Sequence, residues 1–390
     1  MIARDLEPRM VSLAENFSAI TLTGPRQSGK TTLCRAAFPD HPLANLEAPD
    51  LRAFAVDDPR RFLSQYPRGA ILDEIQRAPD LLSYLQVSID ESPVPGQWIL
   101  TGSQNLLVSD SISQSLAGRT AVLNLLPLTW RETKRFPNHP QTLEAALFAG
   151  SYPRIFDDNP DVSDWIGSYV ATYVERDLRL ISQIGNLAAF QRFMALCAGR
   201  TGQLLNLSSL ADDCGISQPT AKAWISILEA SFLVFRLPGW TSNLRKRLVR
   251  MPKLHFWDTG LVCWLIGIRS PEQLQTHPLR GAIFETWVVS EIAKHRANRG
   301  ERGGLSHYRD RNGAEVDLVL ETPDGLFLVE AKSSMTPASS MLSGAKRVRK
   351  HLGAASRPCR ITVVYGGDAA QHRTDGSIIP WRELHNAGII

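Results

Sequence analysis

The sequence predicts an α/β protein in three parts. A parallel-sheet domain is expected over 1–148, a helical and winged-helix middle over 149–278, and a second, C-terminal α/β domain over 279–390. Three observations predict it. Gly24-Pro25-Arg26-Gln27-Ser28-Gly29-Lys30-Thr31 fits the phosphate-binding pattern G-x-x-x-x-G-K-[ST] and stands between a strand-like and a helix-like stretch. After it, short apolar runs alternate with helical segments, as they do in a parallel sheet. Near the end, Asp317 and the pair Glu330 and Lys332 lie on two apolar strands joined by a turn.

The length and composition agree with several domains. A chain of 390 residues exceeds what one core usually holds. Hydrophobic content of 43% and charged content of 21% are those of globular proteins. No apolar run reaches the length of a membrane span, and Met1-Ile2-Ala3-Arg4-Asp5 does not open a signal peptide, so a cytoplasmic protein without membrane contact is expected. The five cysteines are scattered and include no C-x-x-C pair, which points to neither a zinc site nor a disulfide framework. The net charge is +4, and basic residues gain on acidic ones toward the C-terminus, a faint signal for nucleic-acid contact there.

Ala19-Ile20-Thr21-Leu22-Thr23 is the strand that leads into the loop. Gly24 and Gly29 let the backbone turn its N–H groups inward onto phosphate oxygens, and the following helix, with Thr32 in its first turn, adds its positive end. Lys30 is the residue that reaches the β- and γ-phosphates of ATP, and the Thr31 hydroxyl is the one that holds Mg²⁺. Leu43-Ala44-Asn45-Leu46 is a second strand. Gly69-Ala70-Ile71-Leu72 is a third, and it runs into Asp73 and Glu74. Asp73 at the carboxyl edge of a buried strand is placed for Mg²⁺, and Glu74 for polarising the attacking water. A solvated acidic turn is the plain alternative. The strand Gln97–Gln104 offers Ser103 to the γ-phosphate or the water, with Gln104 the weaker candidate. Arg119 follows Gly118, at the likely place of a helix cap, and precedes the strand Ala121–Leu126. It is a candidate for stabilising the transferred phosphoryl group, in cis or on a neighbouring subunit, with a surface ion pair as the alternative.

Ile20 to Leu33, Ile71 to Pro79 and Leu100 to Pro127 together resemble the AAA-type ATPases of bacteria and archaea that carry a C-terminal domain of unknown function. The resemblance implies ATP binding and hydrolysis at the loop and the Asp-Glu pair, and extends an arginine-finger role to Arg119. Modules of this type often form rings, which makes a homo-oligomer one expectation.

In the middle, Trp165 to Ile181 reads as a helix with Trp165, Tyr169, Val170, Tyr173 and Val174 on its apolar face. Leu207–Thr220 carries a helix-turn-helix pattern: Ser209 as a cap with Asp212 opposite it, Gly215 as a stop, and Ser217 as the next cap. Phe232–Leu237 and Lys253–Trp257 would form a wing. Gln218, Thr220 and Lys222 would face outward toward DNA, and Arg245, Lys246, Arg247 and Arg250 would suit phosphates. A lid or docking module is the competing reading.

The last domain opens with a helix from Leu279 that contains Glu285. Ala314–Glu321, alternating polar and apolar, turns through Thr322–Gly325 into Leu326–Lys332. Period-two geometry puts Glu330 and Lys332 on one face, and a hairpin brings Asp317 beside them. Asp followed by Glu-x-Lys resembles the active-site pattern of the PD-(D/E)xK nuclease fold. The resemblance implies Mg²⁺ on Asp317 and Glu330, with Glu285 completing the metal shell and Lys332 orienting a water. Polar residues on the open face of a hairpin are the bland account. The chain therefore reads as an ATPase whose nucleotide state controls a C-terminal domain that binds or cleaves DNA or RNA. The alternative is an ATP-dependent switch that docks a protein or DNA without cutting, and a weaker third reading is transcriptional regulation through the winged helix.

Overall fold

The computed structural model describes residues 2–103, 116–177, 185–240, 251–301, 303–310, 312–352, 358–386 and 388. Gln104, Arg245, Lys246, Arg247 and Arg250, the last residues of the helix expected to reach Ile181, and the side chain of Val174 lie outside the described residues. The chain divides into two compact units. Met1–Pro127 makes up most of the first, joined by Ala230–Phe232 and Ala297–Glu301; the second takes in Leu128–Glu229, Leu233–Arg296 and Arg302–Ile390.

In the first unit, strands β1 (Ala19–Thr23), β2 (Leu43–Asn45), β3 (Ala70–Asp73), β4 (Trp98–Gly102) and β5 (Thr120–Asn124) form one sheet in the order β2-β3-β4-β1-β5. Every pairing is parallel. The apolar runs seen in the sequence become strands buried on both faces, and alternate residues feed two separate cores. Ile20, Leu22, Ile71 and Ile99 pack with Leu6 and Met10 of the N-terminal segment and with Leu33 of the helix Lys30–Ala37. Ala19, Leu72, Trp98 and Leu100 pack on the other side with Phe62, Leu82, Leu85 and Ile89. Parallel strands need such cover on both faces, since each returns through a crossover. β1 is central, with β4 on one side and β5 on the other, so its carboxyl end opens between two neighbours. That is where such sheets bind ligands.

The second unit has a helical part and a mixed sheet. Helices Leu207–Cys214 and Gln218–Ala230 are separated by Gly215 in the left-handed conformation (φ 66°) and Ser217, whose Oγ accepts the Thr220 N–H at 3.2 Å. The expected cap Ser209 is not the cap. Asn206 starts that helix instead, its Oδ1 accepting the Ser209 N–H at 3.1 Å. Ala221, Trp224, Ile225 and Leu228 are buried, as their spacing predicts. Strands β6 (Val234–Leu237) and β7 (Lys253–Phe256) then pair antiparallel.

The long helix Arg280–Asn298 leads to a six-stranded sheet in the order β12-β13-β11-β10-β9-β8, with β8 Leu305–Arg309, β9 Glu315–Thr322, β10 Gly325–Lys332, β11 Cys359–Tyr365, β12 Gln371–Arg373 and β13 Gly376–Pro380. β9 and β10 form the expected hairpin, with Leu318 opposite Val329. β9 does not alternate as the sequence suggests. Val316 to Leu320 are all buried, Asp317 among them.

The sequence places the first boundary at 148, whereas the compact units divide at Pro127. Hydrogen bonds explain the difference. The Trp130 N–H donates to Glu291 Oε2 at 2.6 Å and the Leu128 N–H to the Ser151 carbonyl at 2.8 Å, so this stretch belongs to the second unit.

Candidate functional site

The loop Gly24–Thr31 lies at the carboxyl end of β1 and runs into the helix Lys30–Ala37. Its shape requires glycine twice. A Cβ at Gly24 would sit 2.1 Å from the Leu125 carbonyl oxygen, and Gly29 holds φ at 90° before the helix starts. Gln27 also takes a positive φ of 64°, in the sparsely populated region that functional loops use. Pro25 and Ser28 are buried, Arg26 is half-buried and pairs with Glu47 at 3.3 Å, and Gln27 and Thr32 are exposed. Lys30 is buried, and its Nζ donates to the carbonyls of Gly24 and Pro25, both at 3.0 Å. Burial lowers its pKa, an effect that the nearby charges of Glu74 and Asp73 oppose.

The acidic pair is where the sequence places it. Thr31 Oγ1 donates to Asp73, lying 3.1 and 3.0 Å from its two carboxylate oxygens, and Thr101 Oγ1 also donates to Asp73. Glu74 follows in the left-handed conformation (φ 57°), with its N–H on Thr101 Oγ1 at 3.2 Å. That turn swings its side chain away from Asp73 toward β4. There Glu74 Oε2 accepts from Ser103 Oγ at 3.1 Å and from the Gln76 amide. Ser103 therefore holds Glu74. Arg119 is placed elsewhere. Its carbonyl accepts the Ala19 N–H at the start of β1, the edge of the sheet opposite the loop, and its guanidinium grips Asp90 at 2.5 and 2.8 Å. Five residue steps along β1, roughly 16 Å, separate that edge from Gly24, so Arg119 is not brought to the loop of its own chain.

The residues present fit a nucleotide and Mg²⁺. Glycine lets the loop backbone pack against Leu125 where a Cβ at Gly24 would collide, and the hydroxyl of Thr31 and the carboxylate of Asp73 are hard oxygen donors. Arg4 belongs to this site, and sequence reasoning missed it. Its buried guanidinium donates to the Ser28 carbonyl at 2.6 Å and to the Leu126 carbonyl at 2.9 Å, fixing the loop from below.

In the second unit, Glu285, Asp317, Glu330 and Lys332 are brought together, with Glu315 beside them. A residue from β7 joins them. Lys253 Nζ lies 2.8 Å from Glu285 Oε1, 2.8 Å from Glu315 Oε1 and 3.6 Å from Asp317 Oδ1, with its side chain 3% exposed. The other Asp317 oxygen accepts the Ala331 N–H at 2.9 Å, and Lys332 Nζ pairs with Glu330 at 2.7 Å. Burial and the charge of Asp317 push the Glu285 carboxyl up to about 8 and that of Glu330 up to about 7. Burial works against the charge on Lys253, but its carboxylate neighbours outweigh it and raise its pKa. Among the described residues, no group of three or more His, Cys, Asp and Glu is arranged to hold a metal ion.

Three families match along the chain: an AAA domain over residues 16–134, a domain of unknown function (DUF8612) over 140–272, and a second (DUF4143) over 280–384. Uncharacterized protein Rv2008c of Mycobacterium tuberculosis and Uncharacterized protein Mb2031c of Mycobacterium bovis are each 30% identical over 368 residues, covering 94% of this chain and 80% of theirs. The chain belongs to their family, that of AAA-domain proteins with a DUF4143 C-terminus. Among solved structures, a Walker-type ATPase of Pyrococcus abyssi is similar at 18% identity with a TM-score of 0.42, covering 68% of this chain and 96% of its own. RuvB of Thermotoga maritima is similar at 15% with a TM-score of 0.33, covering 61% and 90%. In this AAA–DUF4143 protein the loop, Asp73, Glu74 and Ser103 all fall within the AAA domain. The acidic face is shared: its carboxylates lie in the DUF4143 segment, while Lys253 comes from the DUF8612 segment.

Proposed function

We propose that this AAA–DUF4143 protein hydrolyses ATP at the loop of its first unit. The observation that carries the reading is the hydrogen bond of Thr31, in the first turn of the helix Lys30–Ala37, to Asp73 at the end of β3 at 3.0 Å, with Glu74 next in the chain. Thr31 and Asp73 would hold Mg²⁺, which would supply positive charge to offset that of the phosphates. Lys30 and the N–H groups of the loop bind the phosphates; Glu74 accepts the proton of the attacking water, and Ser103 and Gln76 aim it. The test is phosphate release by the purified protein. Lys30→Ala is expected to abolish turnover. Glu74→Gln is expected to lower it by at least about a hundredfold while ATP still binds. Turnover unchanged in both variants overturns the reading.

A second reading concerns the rest of the chain. Three successive family matches support three parts; in this reading the nucleotide state of the first controls the last. The lysine-filled acidic face favours docking of a nucleic acid or a protein over Mg²⁺-dependent cleavage. Gln218 and Lys222 are exposed on the second helix of the helical pair, which supports a DNA contact there. Arg119 fits a finger only in trans, on a neighbouring copy. Metal-dependent fragments of DNA or RNA on a gel, lost in Asp317→Ala and Lys332→Ala, would overturn the docking reading. A cytoplasmic location rests on composition, and among the described residues no helix is long and apolar enough to cross a membrane.

A further inference from the structure

The nuclease-like pattern implies a divalent cation among Glu285, Asp317 and Glu330, and the oxygens that would bind it are already engaged. Two lysines with distinct origins neutralise the face. Lys332 is the lysine of the motif itself, two residues from Glu330 on β10, and it is partly exposed (40%). Lys253 is foreign to the motif. It arrives on β7, a strand of the separate β6–β7 ribbon, and its ammonium is enclosed by Glu285, Glu315 and Asp317.

A magnesium ion takes oxygens at about 2.0–2.1 Å in a near-octahedral shell and usually keeps several waters. An ion at that distance from Glu285 Oε1 and Asp317 Oδ1 would share the space that the Lys253 Nζ fills at 2.8 and 3.6 Å from the same atoms. Two cations at that separation in a buried site repel strongly. Other oxygens of the face are engaged or crowded as well. Asp317 Oδ2 is taken by the Ala331 N–H. Glu330 Oε2 is held by Lys332, and Glu330 Oε1 lies under the backbone of Gly344, where even a Cβ would come within 2.9 Å of it. Glu315 also lies 3.8 Å from Arg309.

We propose that Lys253 is the resident cation of this acidic face: its ammonium stands where a divalent ion would bind, so the face is metal-free and a divalent ion enters only when Lys253 is removed. The role differs from that of an ordinary surface ion pair. One ammonium is shared by three carboxylates drawn from a helix and a strand, and it comes from a segment outside the motif. The inference is independent of ATP hydrolysis in the first unit.

The test uses Mn²⁺ as the probe, followed by electron paramagnetic resonance on the nucleotide-free full chain. The proteins are the wild type, Asp317→Asn, Lys253→Met and the double variant Lys253→Met/Asp317→Asn. The expected result is that wild type and Asp317→Asn bind Mn²⁺ equally weakly. Lys253→Met gains one site, tighter by about tenfold or more, which the double variant loses. Saturable Mn²⁺ binding by the wild type that Asp317→Asn abolishes overturns the proposal. So does a Lys253→Met protein with native circular dichroism that binds no more Mn²⁺ than wild type. Should Lys253→Met not fold, the comparison of wild type with Asp317→Asn still decides: equal weak binding supports the proposal, and a difference overturns it.

Discussion

Arg4 shows how much of a phosphate-binding loop lies outside its motif. The loop holds positive φ at Gly24, Gln27 and Gly29, and its carbonyls at Gly24 and Pro25 are bonded by Lys30. Two of the carbonyls around it, those of Ser28 and Leu126, end on one buried guanidinium. Removing that group leaves buried acceptors unpaired, at about 1–3 kcal/mol each. Arg4→Ala is therefore expected to raise KM for ATP several-fold with a smaller change in kcat, because Arg4 touches the loop rather than the reacting atoms. Arg4→Lys is expected to restore it only in part, since an ammonium lacks the planar fork that spans two carbonyls. Steady-state kinetics of the two variants check this. Gly24, Lys30, Thr31, Asp73 and Glu74 were legible in the sequence because each sits in a short stretch whose chemistry is local. Arg4 and Lys253 were not, since nothing around Met1–Asp5 or Pro252–Leu254 announces partners 24 and 32 residues away. The sequence left two residues open that contacts across the sheet decide: Ser103 bonds Glu74, and Arg119 forms the surface ion pair that was one of its two expected fates.

The strands of the first sheet were legible nearly to the residue, because a parallel strand covered on both faces is a short continuous apolar run between polar turns. The helix cap before Leu207 was not, because Asn206 and Ser209 are both good caps and only the fold selects between them. The helix Arg280–Asn298 carries a third kind of feature, a charge buried by design. Lys294 is 2% exposed, and its Nζ donates to the Leu128 carbonyl at 3.1 Å, Ser151 Oγ at 3.0 Å and Glu291 at 3.2 Å. Glu291 in turn accepts the Trp130 N–H. The helix thus pins two loops at once. Breaking a buried pair leaves an uncompensated charge, so Lys294→Met is expected to destabilise the second unit by about 3–5 kcal/mol. Adding Glu291→Gln is expected to recover part of that. Urea unfolding of the single and double variants measures it.

The whole chain holds two compact units with separate hydrophobic cores, and a chain of this kind need not unfold in one step. Scanning calorimetry is expected to resolve two transitions. ATP with Mg²⁺ at about a hundred times its Kd is expected to stabilise only the first unit, by about 2.7 kcal/mol, and Lys30→Ala is expected to abolish that shift. A shift of both transitions together would show that the units unfold as one. The three-part division read from the sequence followed its turns and motifs. The middle and the C-terminal segments join in one unit because a buried lysine, a ribbon strand and a long helix link them, and such links leave no local trace in a sequence.

The carbonyl clasped by Arg4 belongs to Leu126, one residue before the first unit ends at Pro127, and the Leu125 N–H is bonded to Thr23 at 2.7 Å, directly ahead of the loop. The point where the polypeptide leaves the sheet is therefore fastened to the loop from both sides. Any substitution that loosens Arg4 therefore frees the loop and the exit of the chain from the sheet together, a coupling held by hydrogen bonds alone.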